Sequence, residues 1–111
     1  MRGPTAAQLR RQAELTKALA QTGFALPGTF LERYNRCGKP NCRCKQDPPT
    51  LHGPYFQWTR KVDGKTVTRL LSGDQIDRYR DWFGNAQKAR QLLAELETLS
   101  LNVIITAEGW E

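Results

Sequence analysis

Three cysteines and the only histidine of this 111-residue chain fall within 16 consecutive positions, as Cys37-Gly-Lys-Pro-Asn-Cys42-Arg-Cys44 followed, across a proline-bearing linker, by His52-Gly-Pro-Tyr55. Three thiolates and a neutral imidazole form one of the tetrahedral donor sets that a structural zinc ion takes. The segment supplies one such set with nothing spare, so the expectation is one Zn²⁺ per chain, held by Cys37, Cys42, Cys44 and His52. Gly38, Pro40 and Asn41 are turn formers that let the backbone amides between the first two cysteines face the sulfurs. The Cys42-Arg43-Cys44 interval is tighter than a two-residue spacer. In extended chain its two sulfurs would share a face but lie well apart along it, so the backbone must bend at Arg43 for both to reach one ion. Pro48 and Pro49 stiffen the return loop that brings His52 back. The sulfurs bind as thiolates, so assembly releases protons and weakens in acid.

Other uses of these residues are weighed against this one. Inert core thiols are disfavoured because the cysteines stand in the most polar, Lys/Arg-rich part of the chain. A disulfide would leave one cysteine over, and nothing marks a secreted chain. A reactive thiol stays open, because Lys39, Arg43 and Lys45 would lower a neighbouring thiol pKa. His52 is the ligand with the most alternatives: it can be a satisfied turn residue, with Asp47, water or a second chain completing the shell. Metal-dependent hydrolysis needs an open coordination position and a general base, and a closed set of three cysteines and a histidine offers neither. A Cys44–His52 nucleophile pair would lack an oxyanion-hole motif, so no catalytic residue is assigned.

Charge points to a partner. Residues 31–70 hold nine Lys/Arg against Glu32, Asp47 and Asp63, which accounts for the whole net charge of +6. Three thiolates and a zinc ion would leave this region near +5. Lys39, Arg43, Lys45, Arg60, Lys61, Lys65 and Arg69 are therefore candidate phosphate contacts, and Tyr55 and Trp58 candidate stacking platforms, for a nucleic acid, DNA ahead of RNA. The plainer alternative is that the aromatics fill a small core and the charges are solvated.

Length bounds the elements that must position these groups. The chain suits a single small domain over 1–111, in which a bound metal or a partner helps considerably. It divides into a helical segment 1–26, a knuckle and hairpin 27–71, and a helical region with an apolar tail 72–111. Thr5-Ala-Ala-Gln8 is a capping box that opens a short helix, and Gly23 is a natural stop. Leu9, Ala13, Thr16 and Ala20 form one weak stripe on it, Leu15 and Leu19 a second. Thr29–Arg36 alternates as a short strand that leads into Cys37. Pro54–Val62 and Lys65–Leu71 are β-rich runs joined by Asp63-Gly64, the strongest short hairpin pattern. The fold class is α+β: a small antiparallel sheet of two or three strands with a zinc knuckle at one end, an N-terminal helix, and a long C-terminal helix.

That last helix opens on the capping box Ser72-Gly-Asp-Gln75. Gly84-Asn85 should break or bend it, and it should end near Ser100. Residues 101–106 are β-prone and uncharged and are expected to add a strand to a sheet edge here or on a partner. Leu92 and Leu96 could pair the helix with its copy, giving a homodimer, or dock it on a larger protein. No run reaches the ~18 apolar residues of a membrane span, and the N-terminal Met-Arg-Gly-Pro-Thr lacks the apolar core of a signal peptide. A cytoplasmic location, where thiols stay reduced, is expected.

The run Cys-Gly-Lys-Pro-Asn-Cys-Arg-Cys, with Leu-His-Gly-Pro-Tyr-Phe-Gln-Trp-Thr-Arg-Lys-Val and Gly-Lys-Thr-Val-Thr-Arg after it, resembles a family of short prokaryotic proteins of unknown function that share a CGKxxCxC…HGPY pattern. The resemblance covers about residues 27–83 and carries Cys37, Cys42, Cys44, His52, Gly53, Pro54 and Tyr55. It implies an association with mobile elements; the tail from Leu101 departs from the usual family ending. Two functions follow: a zinc-stabilised, non-enzymatic nucleic-acid-binding module, as an accessory factor of a mobile element, or an adaptor that docks on a protein through its C-terminal helix and residues 101–106.

Overall fold

Strand propensity and turn chemistry build the middle of the chain first. The computed structural model describes residues 3–47 and 49–111; Pro48, expected to stiffen the return loop, and Met1 and Arg2 of the N-terminal run lie outside the described residues. The chain divides into two compact units, Pro27–Asp81, and the residues up to Leu26 together with Trp82–Glu111.

In the first unit, β1 (Thr29–Asn35), β2 (His52–Val62) and β3 (Lys65–Leu71) form an antiparallel sheet in the order β1-β2-β3. Asp63 and Gly64 both take positive φ, 50° and 79°. These left-handed values give the tight β2–β3 link the twist of the flanking strands. Register then assigns the faces, because residues directly opposite in an antiparallel pair share one. Phe30, Trp58 and Arg69 lie in one row, as do Leu31, Gln57 and Leu70 on the other face. Phe30 and Phe56 stack with centroids 6.0 Å apart. Helix α2 (Gly73–Glu108) starts in this unit, where the Ser72 hydroxyl accepts from the Gln75 amide and the Gln75 side chain accepts from the Ser72 amide, and buries Ile76.

The second unit is a helical hairpin. Helix α1 (Ala6–Ala20) starts on the full Thr5–Gln8 capping box and buries Leu15. The stripe of Leu9, Ala13, Thr16 and Ala20 stays exposed. The chain then turns back along α2: the Leu26 amide donates to Trp82 O at 3.0 Å, Asn85 Nδ2 donates to Phe24 O at 2.9 Å, and the Phe24 and Trp82 rings lie 4.8 Å apart. Farther along, Arg11 bridges to Glu95.

Two expectations for the C-terminal region are corrected. Of the one helix or two expected around Gly84-Asn85 the chain forms one, α2, over Gly73–Glu108, and it runs past the expected end near Ser100. A mid-helix glycine costs only about 1 kcal/mol relative to alanine, and the Asn85 side chain ties that turn to Phe24. Residues 101–106 are helix, not strand. Extending an existing helix avoids the nucleation cost, and the helix penalty of Val103, Ile104 and Ile105 is small by comparison. Gly109, at φ 68°, then ends the helix in the left-handed conformation, with the Trp110 amide donating to Ile105 O at 2.9 Å. That 6→1 bond and the glycine at C′ are the elements of a Schellman stop. No described helix is long and apolar enough to cross a membrane.

Candidate metal centre

Pairing of β1 with β2 places the two ends of the knuckle side by side. Asn35 lies opposite His52, with a register irregularity between Arg33 and Asn35, so Cys37 leaves the sheet where His52 enters it. His52 is thus carried by a strand, two residues before the β-rich run read from the sequence. The missing signal is the alternation itself, which Gly53-Pro54 interrupts.

Between these ends the backbone turns twice. The Cys42 amide donates to Lys39 O at 3.4 Å, closing a turn with Pro40 and Asn41 at its centre. Cys42 is still extended (ψ 150°), and a single 3₁₀ turn, Arg43–Lys45, follows at once. This is the bend at Arg43 that the short spacing requires. The Lys45 amide donates to Cys42 O at 2.9 Å and the Thr50 amide to Arg43 O at 3.0 Å, which bring the linker back toward the sheet.

The four side chains meet. One ligand atom each from Cys37, Cys42, Cys44 and His52 lies within 4.8 Å of all the others, an arrangement that could hold a metal ion. Cys37 Sγ is 3.6 Å from Cys44 Sγ, and Cys42 Sγ is 3.0 Å from His52 Nε2. All three cysteines are free, and Cys44 is fully buried. Asp47, the carboxylate alternative, is exposed and outside the cluster. Gly53 holds φ 132°, and a Cβ there would sit 2.9 Å from Arg33 O; glycine is needed where β2 passes this close to β1.

Backbone amides are the partners the residue types did not reveal. The Cys37 amide donates to Cys44 Sγ at 3.3 Å. The Cys44 amide donates to the Cys42 sulfur, and with the Cys37, Cys44 and His52 side chains it lowers the Cys42 thiol to about 6 against the opposing effect of burial. At Cys37 the Lys39 amide acts in the same sense, yet desolvation and the neighbouring Cys42 and Cys44 sulfurs outweigh it and raise that thiol above its ordinary value. The signs differ accordingly. The Cys42 thiolate adds stability above the ordinary thiol range and loses it as the pH falls through about 6; Cys37 favours its neutral form and takes up a proton first. Protons compete with a metal for these sulfurs, so metal held here is expected to leave progressively as the pH is lowered. Metal content after dialysis across a pH series measures it, and full retention near pH ~4 would speak against sulfur ligation.

The residues proposed for nucleic acid do not share one surface. Lys39, Arg43 and Lys45 are exposed on the knuckle, the last two on the 3₁₀ turn around Cys44. Strand alternation puts Tyr55 and Lys61 on the sheet face of Leu31 and Arg33, and Trp58, Arg60, Lys65 and Arg69 on the other. Trp58 is half-buried and engaged: its Nε1 donates to Pro27 O at 2.9 Å, and the Arg60 guanidinium lies 4.6 Å over its ring. Tyr55 is more open, at 38% exposed, and Tyr34, which the sequence reading left aside, is 53% exposed. Tyr55 and Arg33 are direct cross-strand neighbours.

No curated protein and no solved structure matches the chain. A family described as a domain of unknown function, DUF6788, matches residues 6–81, from the first turn of α1 through the sheet and all four clustered ligands into the start of α2. A match over that share of the chain, with the Cys37, Cys42, Cys44 and His52 cluster fitting a zinc-knuckle-like motif inside it, makes this protein a member of the DUF6788 family.

Proposed function

We propose that the chain is a zinc-stabilised, non-catalytic module that binds nucleic acid, DNA before RNA, through the basic surface around its knuckle. Zinc suits the donor set: thiolates and imidazole are soft to borderline ligands. A tetrahedral ion with Zn–S near ~2.3 Å sets its sulfurs roughly 3.7 Å apart, against 3.6 Å for Cys37 and Cys44. In that role Cys37, Cys42, Cys44 and His52 would hold the ion, which supplies only a clamp. Free thiols fit a reducing compartment such as the cytoplasm.

The observation that carries the nucleic-acid reading is the state of the cations. Among the described residues, none of the nine Lys/Arg of positions 31–70 makes an ion pair; the two ion pairs both belong to Arg11. An unpaired basic surface is what phosphates neutralise with release of counterions. If five of these cations meet phosphates of a duplex, raising salt from about 50 to about 200 mM weakens binding roughly 500-fold. Fluorescence anisotropy with labelled duplex and single-stranded DNA and RNA measures this. Lys39→Gln, Arg43→Gln and Lys45→Gln should each reduce the magnitude of the log–log slope by about one. Salt-independent binding, or no binding to any of these probes at low salt, overturns the proposal.

A further inference from the structure

We infer that the Cys/His cluster is also a site of reversible oxidation, at which a hydroperoxide joins two of the three sulfurs in a disulfide and thereby dismantles the metal site. The inference rests on the reading of Cys37, Cys42, Cys44 and His52 as ligands of one ion. One side of the cluster is open. Cys44 is fully buried, but Cys37, Cys42 and His52 are only half-buried, and the neighbouring Lys39, Arg43 and Lys45 are exposed. Partly exposed sulfur in electropositive surroundings is the reactive kind, and a second sulfur beside it serves as the resolving partner.

The sulfurs are placed to pair. All three lie within 4.8 Å of one another, with Cys37 Sγ 3.6 Å from Cys44 Sγ. A disulfide sets its sulfurs about 2.05 Å apart, so that contact has to close by roughly 1.5 Å. The loop permits such a movement: a few backbone hydrogen bonds hold it, and Gly38, next to Cys37, has open space where a Cβ would stand.

Sulfurs that hold a metal are thiolates, so each is a competent nucleophile. A half-exposed thiolate attacks the proton-bearing oxygen of the hydroperoxide. Its electron pair forms the S–O bond, the O–O bond breaks, and the departing oxygen takes a proton and leaves as an alcohol, or as water when the oxidant is hydrogen peroxide. A neighbouring thiolate then attacks the sulfenic acid. The S–S bond forms, the S–O bond breaks, and hydroxide leaves and takes a second proton to become water. Two thiolates have lost two electrons and one hydroperoxide has gained them. Whichever pair closes, one sulfur and the imidazole remain, two donors where a structural zinc ion takes four.

Treating the zinc-loaded full chain with a small molar excess of hydrogen peroxide tests this. A chromophoric chelator reports the metal, and thiol counts, intact mass and non-reducing gels report the products. Metal release should keep pace with the loss of two of the three thiols, and the mass of the chain should fall by two hydrogens. Dithiothreitol should restore the thiols and, with zinc, the metal site. Metal retained by the peroxide-treated chain would overturn the inference and leave the clamp standing. So would added oxygen atoms that dithiothreitol does not remove, or disulfides that link separate chains. A chain that takes up no zinc before the oxidant is added overturns the clamp, and this inference with it.

Discussion

Chelation of the purified protein, which should carry about one zinc per chain by its ligand count, is expected to collapse the region from Asn35 to Gly53 and to destabilise the sheet attached to it. Apparent zinc-binding energies of structural sites, about 10–16 kcal/mol in small zinc-finger peptides, match or exceed the roughly 5–15 kcal/mol of a whole domain's stability. Here little else orders the knuckle. Among its described residues Cys44 is the one that is fully buried, and apart from the sulfur contacts the loop is closed by a few backbone hydrogen bonds. Without the ion, a group of thiols and an imidazole would have to stay packed with no common partner. Amide correlation spectra before and after chelation measure the effect residue by residue, with resonances of 35–53 lost first and those of β2–β3 broadened. Cys44→Ser should abolish metal retention, because it removes the buried ligand that also accepts the Cys37 amide. His52→Ala leaves three sulfurs and should retain metal more weakly. A protein that is metal-free as purified and gives unchanged spectra after chelator treatment would refute the clamp.

The second large effect is expected far from the knuckle, at Gly28. This residue holds φ 97° just before β1, and an added Cβ would lie 2.4 Å from Thr59 O and 2.9 Å from Trp58 Nε1. Neither neighbour can yield cheaply. The first is backbone of the central strand, and the second is fixed by its bond to Pro27 O. Gly28→Ala should therefore cost about 2–4 kcal/mol, combining left-handed strain with a steric clash. Gly64→Ala separates the two causes: Gly64 holds φ 79° but a Cβ there meets nothing within 4 Å. It should cost only about 1–2 kcal/mol, the left-handed penalty alone. Urea unfolding followed through strand amide signals gives both numbers, and equal losses at the two positions would remove the steric explanation.

Much of the architecture could be read from local patterns because local physics sets it. Thr5 with Gln8, Ser72 with Gln75, and Asp63-Gly64 each satisfy or free specific backbone groups within four residues, and all three act where the spacing places them. The four residues of the candidate metal centre were legible for a similar reason: their chemistry is particular and their spacing leaves few other uses. The Arg43 bend followed from the reach of two sulfurs to one ion.

Other features depend on contacts between residues distant in the chain. Gly84-Asn85 and the β-branched run after Ser100 carry local preferences against helix, and those preferences lost to elongation of an established helix and to the Asn85 contact with Phe24. His52 became a strand residue through pairing with Asn35, not through its own neighbours. Amide donation to the sulfurs uses groups that every residue possesses, so composition is silent about it. Alternation along the hairpin by itself separates Tyr55 and Lys61 from Trp58 and Arg60, and Thr66 and Leu70 from Val67 and Arg69; only pairing with β1 says that Leu31 and Arg33 join the first face and Phe30 the second. Short-range stereochemistry and ligand chemistry thus specified the parts, the Cys/His set and the two faces of the hairpin, whereas helix length, the strand that carries His52 and the alignment of β1 with those faces arose from energies that exist only once the chain has folded.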